Sequence, residues 1–192
     1  MKDYAELIVS VASITGDTQV PDYAATLTAI AERKLSRVLR VRQATEEMTK
    51  TTSATGEITL PRGLVDVIYV FDEDGNRMYP APLSHIKGKH QNKQDIFSLS
   101  GNRMYTNQES KKIDITYYEE LPGLSDHGCN WLLEQAPDIY LQALLQEVAI
   151  KNSDYESAMT ISSYLQGLVS EFVRFNKISV LSVAKGGSGP CP

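Results

Sequence analysis

The stretch "CNWLLEQAPDIYLQALLQEVA", Cys129 to Ala149, decides how the chain is read. Asn130 is placed to cap a short turn from Trp131 to Gln135, because an Asn side chain accepts from backbone N–H groups that a helix start leaves unpaired. Pro137 then opens a longer helix, where its missing N–H costs nothing. Asp138 puts a negative charge in that first turn, which suits the helix dipole. Ile139, Tyr140, Ala143, Leu144 and Val148 recur at helical spacing and mark a core-facing side. Trp131, Pro137, Tyr140 and Leu144 are therefore expected as structural core anchors. The stretch contains no serine, histidine or lysine, so it reads as hydrophobic architecture without visible chemistry. As a large core deletion, Trp131→Ala is expected to cost roughly 3–5 kcal/mol.

Outward from this stretch the pattern is helix, strands, helix. Toward the C-terminus, Ser153 and Glu156 have the spacing of a capping box, and Tyr155, Ala158, Met159, Leu165, Leu168, Val169, Phe172 and Val173 follow at helical spacing. At the N-terminus a helix is expected from Asp3 to about Thr15, with Asp3 and Glu6 as a capping box and Gly16 ending it. A second helix starts near Pro21 and buries Ala24, Leu27, Ile30, Ala31, Leu35, Val38 and Leu39. From Val41 the period changes. Thr55-Gly56 lies between two candidate strands, Asp74-Gly75 follows the β-branched run Val67 to Phe71, and Ser100-Gly101-Asn102 turns a third pair. Ile113, Ile115 and Tyr117 alternate with polar neighbours, as in a half-buried strand.

The expected fold class is α+β, mainly α: a four-helix bundle with an inserted small antiparallel β subdomain and an extended C-terminal arm. The expected divisions are residues 1–44 and 123–177 for the bundle, 45–122 for the insertion and 178–192 for the arm.

Composition narrows the function. The 192 residues carry a formal net charge of −5, which gives no global electrostatic reason to coat nucleic acid. No run approaches the roughly 20 apolar residues of a membrane span, and no targeting signal is expected. Cys129 and Cys191 lack the spacing of a disulfide framework or a metal site, so a reducing origin is expected. Asp126, His127 and Cys129 hold the residue types of a nucleophile and base, but neighbours in sequence seldom meet with the base oriented, and a turn before a helix is the expected reading. His85 and His90 need further ligands to hold a metal. "DEDGNR", Asp72 to Arg77, lacks the order and the distal Glu of a calcium loop and reads as a hairpin turn. Glu119 and Glu120 point to opposite faces of a strand. The chain is expected not to be an enzyme, with no catalytic residue, cofactor or metal.

Two surfaces remain. Arg33, Lys34, Arg37, Arg40, Arg42 and Lys50 form a basic cluster, with Glu32, Glu46 and Glu47 as local partners. Repeated around a ring, one such stripe per copy sums to a large field, which makes Arg33, Arg37 and Arg40 candidates for channel or inter-subunit charges. The apolar strip Ile178, Val180, Leu181 and Val183 precedes a Gly, Ser and Pro run and suits strand addition to a partner.

In order, "AERKLSRVLRVRQATEEMTK", "ITLPRGLVDVIYVFDEDGNRMYP" and "IDITYYEELPGLSDHGCNWLLEQAPDIYLQALLQEVA" resemble the bacteriophage head-to-tail adaptor, or connector, proteins of tailed phages over about Val20 to Asn176. The ordered set of Tyr-Tyr-x-x-Leu-Pro-x-Leu-Ser, Asn-Trp-Leu-Leu and Pro-Asp-Ile-Tyr-Leu carries the likeness. Gly63 and Leu64 depart from it, standing where the family usually has Asp and Phe. The resemblance implies a virion structural protein at the head-tail junction, present in the host cytoplasm during assembly. It implies a ring, typically dodecameric, below the portal protein, which extends the DNA channel and docks tail, nozzle or tail-fibre proteins. Double-stranded DNA then passes through without specific binding, and no membrane is involved. By the same resemblance the strip at 178–183 is a portal-binding arm. A tail-completion or stopper protein at the same junction, and a small nucleic-acid-binding module, are the alternative readings.

Overall fold

A computed structural model describes residues 1, 3–87 and 95–176. The chain divides into two compact units, residues 1–44 with 120 onward, and residues 45–119. The fold expectation needs correction. Among the described residues helix makes up 50% and strand 23%, in seven helices and two sheets, so this is not a four-helix bundle carrying a small insertion. The physical reason is that the strands bury a core of their own.

In the helical unit, α1 (Tyr4–Thr15) starts where the Asp3 carboxylate accepts from the Glu6 N–H at 2.8 Å and ends at Gly16 in the left-handed region, φ 69°. α2 (Val20–Val38) has its proline in the first turn. In the second unit, α3 (Leu83–Lys87) is a short helix among the strands. Back in the helical unit, α4 (Leu124–His127) and α5 (Trp131–Gln135) are short, and Asn130 caps α5 by accepting from the Leu133 N–H at 3.1 Å. Pro137 opens α6 (Pro137–Lys151), and α7 (Tyr155–Asn176) follows. Asp154, not Ser153, caps α7, its carboxylate accepting from the Ser157 N–H; Ser153 instead makes the bend, at φ 59°. Leu7, Val11, Leu35, Leu39, Leu132, Ile139, Tyr140 and Leu144 are among the buried residues of one continuous core. Cys129 is half-buried beside it; Cys191 lies outside the described residues.

The second unit holds β1 (Thr45–Thr51), β3 (Leu64–Phe71) and β7 (Lys112–Glu119) in one antiparallel sheet, ordered β1-β7-β3. β2 (Glu57–Thr59), β4 (Tyr79–Pro80), β5 (Ile96–Ser100) and β6 (Arg103–Thr106) form another, ordered β2-β6-β5-β4, with β4 parallel to β5. Ile113, Ile115 and Tyr117 do alternate inward on β7, and Ser100-Gly101-Asn102 does turn β5 into β6. The Thr55-Gly56 expectation fails in an instructive way. The chain reverses there, but β1 pairs with β7 and β2 with β6, so the turn passes between sheets and makes no hairpin. Similarly the Asp72–Asn76 turn closes only onto Phe71 and Arg77, after which β4 joins the other sheet. Ile58, Val70, Met78, Phe97, Met104, Ile113 and Ile115 fill the core between these strands.

Candidate functional site

α2 carries the basic side chains and packs on α6, and α7 lies along α6. Between the three runs a groove of about 420 Å³. Its apolar lining comes from Ala31, Leu35 and Val38 of α2, Ala143 of α6, and Leu165, Val169 and Val173 of α7. Lys34 and Glu147 cross it, Nζ to Oε1 at 2.5 Å, with Glu147 buried and Lys34 exposed. Burying the carboxylate alone would be costly, so the lysine compensates it at the groove wall.

The same unit holds a polar network that the sequence did not reveal. Glu32 is buried on α2, and its Oε1 accepts from the Leu124 N–H at 2.8 Å and the Tyr140 hydroxyl at 3.2 Å. The Tyr140 hydroxyl accepts in turn from Asn130 Nδ2 at 2.7 Å, and that amide also donates to the Pro122 carbonyl at 2.7 Å. Ser36 donates to the Glu32 carbonyl and accepts from the Leu121 N–H. The segment from Leu121 to Leu124 is thus tied to α2 through side chains. In the sequence Glu32 reads as a solvated partner for nearby arginines; only its helical phase, shared with Leu35 and Ser36, hints otherwise.

Burial pushes the Glu32 carboxyl above the ordinary carboxylate range, with Asp126 adding repulsion, although hydrogen bonds from Leu124 and Tyr140 oppose the shift. A raised folded-state value means that the charged form is disfavoured in the fold. Glu32 therefore weakens the fold most above its raised value, and that cost is relieved as pH falls toward the unfolded value of 4.5. Glu32→Gln keeps an acceptor for Leu124 and Tyr140. The variant is expected to be more stable than the parent at neutral pH, with the gap narrowing toward pH 4.5 in urea titrations. A gap that widens on acidification would refute this account.

The residues singled out in the sequence fall as follows. Tyr140 and Leu144 are buried, Pro137 is half-buried, and Trp131 is half-buried, stacked on Phe172 of α7 with ring centroids 6.4 Å apart. Because that indole keeps a solvent-facing side, Trp131→Ala is expected to cost about 2–3 kcal/mol, below a full core deletion. Loss of the α7 packing should show as weakened hydrogen-exchange protection in its last turns. Arg33 and Arg37 are exposed and make no ion pair among the described residues, whereas Arg40 lies past the helix end and donates to the Ser36 carbonyl at 3.0 Å. Ile178, Val180, Leu181 and Val183 lie outside the described residues, as does His90.

The remaining chemical candidates are turns. Asp126 and His127 are exposed in and around α4, which Gly128 ends at φ 76°. Asp72 spends its carboxylate on its own turn, Oδ1 accepting from the N–H groups of Asp74 and Asn76; the Asn76 side chain on Oδ2 contributes most to lowering its pKa. His85 is exposed on α3. Among the described residues no group of three His, Cys, Asp or Glu is arranged to hold a metal, and no helix is long and apolar enough to cross a membrane.

What the geometry offers is apolar surface and charge on helices held by a rigid core, the makings of an assembly protein. The sequence model of a family described as SU10 adaptor protein matches residues 2–177. The chain belongs to that family. No curated protein matches it significantly. The adaptor is accordingly a bacteriophage structural protein and a virion component, of a family that interacts with portal and tail proteins. The family match takes in both units of the adaptor, strands as well as helices.

Proposed function

We propose that the adaptor assembles as a ring, a dodecamer, directly below the portal, where it lengthens the DNA channel and docks the tail, nozzle or tail-fibre proteins. The observation that carries this is α7. Of its residues from Tyr155 to Asn176 only Ala158 is buried, while Ile161, Leu165, Leu168, Val169, Phe172 and Val173 are half-covered by the core and Met159 and Phe175 are exposed. So much apolar helix surface in an adaptor is consistent with a contact completed by other subunits. Arg33 and Arg37 are then inter-subunit or channel charges, and double-stranded DNA passes without specific binding.

The direct test mixes the purified adaptor with the portal of the same phage and examines the product by size-exclusion chromatography and electron microscopy. A ring stacked on the portal is expected. A well-folded protein that does not associate would move the function to a tail-completion or stopper position at the same junction. The portal-binding arm belongs to the same proposal: removal of residues 178–192 should leave the helical unit folded and abolish portal attachment. Retained co-elution of the truncated chain with the portal would remove the arm from the account.

A further inference from the structure

The α2/α6/α7 groove is apolar, and the two charges in its lining are spent on each other. Lys34 and Glu147 form one pair, so an occupant bringing a charge of its own would find no partner inside. Val38 near the end of α2 is 53% exposed, and Leu165, Val169 and Val173 of α7 are half-buried, so apolar side chains stand open along the groove. An uncharged apolar segment is the occupant that such a lining fits.

The chain delivers a segment of that kind to the groove's end. Val173 lines the groove about one turn before α7 stops at Asn176. Lys177 alone separates the helix from Ile178, Val180, Leu181 and Val183, a strip whose other residues are serines. A strip on so short a tether has a high effective concentration at any surface within its reach. The lengths also agree. The lining positions on α7 run from Ser162 to Val173, about 17 Å at 1.5 Å per residue, and residues 178–183 in extended form cover about 17 Å at 3.3 Å per residue.

A second observation gives the direction in which the chain leaves. Gln43 Nε2 donates to Gln135 Oε1 at 2.8 Å and to Asn176 Oδ1 at 3.1 Å, while Gln43 Oε1 is buried with no hydrogen-bond partner among the described residues. A buried acceptor left unpaired is costly. A backbone N–H just past Asn176 would satisfy it. Because Gln43 follows α2, a chain that pairs with it leaves α7 on the side of α2, which is the side of the groove.

We propose that in the unassembled adaptor residues 178–183 turn back along α7 and seat in the α2/α6/α7 groove of their own chain. The groove then stores the arm that the portal reading assigns to assembly, and portal attachment must draw it out. The seating goes beyond that reading and does not depend on it.

The test is thiol labelling of unassembled protein at Val38→Cys, near the exit, and at Gln166→Cys, farther along the wall, each read at its own peptide by mass spectrometry. Both sites should label at least tenfold faster when the chain ends at Asn176 than in the full chain. Val180→Asp with Leu181→Asp in the full chain should reproduce the fast rate. Tyr164→Cys, exposed and outside the groove lining, should label equally in all three. Where Val38→Cys fails to fold, Ser170→Cys on the same groove replaces it. Equal rates with and without residues 177–192 overturn the proposal, as does protection that survives the two aspartates. An equal rise at Tyr164→Cys overturns it as well, because a loosened α7 then explains the rates. Protection that grows with protein concentration also counts against it, since the strip then comes from a second copy. None of these measurements uses the portal, so a portal that fails to bind leaves the seating standing, and a groove found open leaves the portal-binding arm standing.

Discussion

Tyr140→Ala is expected to lower the stability of the helical unit by about 3–5 kcal/mol, the range for a deleted core aromatic. Tyr140 is fully buried, so the change leaves a cavity flanked by residues that belong to a continuous core. It also strips Asn130 and Glu32 of a shared partner, although each keeps a backbone contact, Asn130 to the Pro122 carbonyl and Glu32 to the Leu124 N–H. Tyr140→Phe separates the two losses. It keeps the ring and removes only the hydroxyl, at about 1–2 kcal/mol for a buried hydrogen-bond deletion. Urea unfolding followed by Trp131 fluorescence measures both, and near-equal costs for the two variants would show that the network, not the packing, holds this part of the fold.

Gly56→Ala is the second large effect, in the other unit. Gly56 has φ 70°, and a Cβ there would run into the Thr106 carbonyl, while the Thr106 N–H donates to the Gly56 carbonyl at 2.8 Å. The backbones of the turn and of β6 touch, so neither can yield without breaking the pairing of β2 with β6. Left-handed strain together with overpacking should cost about 2–4 kcal/mol. Gly101→Ala is the control. It has φ 59° but open space around the added atom, so only the conformational cost of about 1–2 kcal/mol applies. Thermal unfolding by circular dichroism should rank the two; equal melting points would mean that the approach to Thr106 relaxes freely.

Several elements were legible because their signals are local. The Asp3 cap and Gly16 stop of α1, the Asn130 cap of α5 and the proline start of α6 each depend on residues within one turn of each other. Local reading failed where two residues competed for one role, as at the start of α7, where Asp154 displaced Ser153. It failed more widely for the strands. Thr55-Gly56 and Asp74-Gly75 both lie in chain reversals, but a turn signal says nothing about which sheet the emerging strand will join. The result is a β unit with its own core instead of a minor insertion.

The candidate site divides along the same line. Arg33 and Arg37 were visible as a basic stripe, since helical phase alone separates them from Leu35 and Leu39. The groove was not, because its walls come from α2, α6 and α7, and its existence depends on how far apart the packed helices stand. Glu32 was misread for a related reason: its partners Leu124 and Tyr140 come from distant parts of the chain, and a buried glutamate is tolerated only where such partners are delivered.

By itself, then, the sequence determined the starts of α1, α5 and α6 and the end of α1, the inward alternation of β7 and the resemblance to phage adaptors, all written in short runs or in ordered motifs. Only the tertiary structure decided which sheet each strand entered, that Glu32 would be buried against Tyr140, and that α2 and α7 would stand apart over α6. Each of those outcomes is set by contacts between residues far apart in the chain, whose free energy no local pattern encodes.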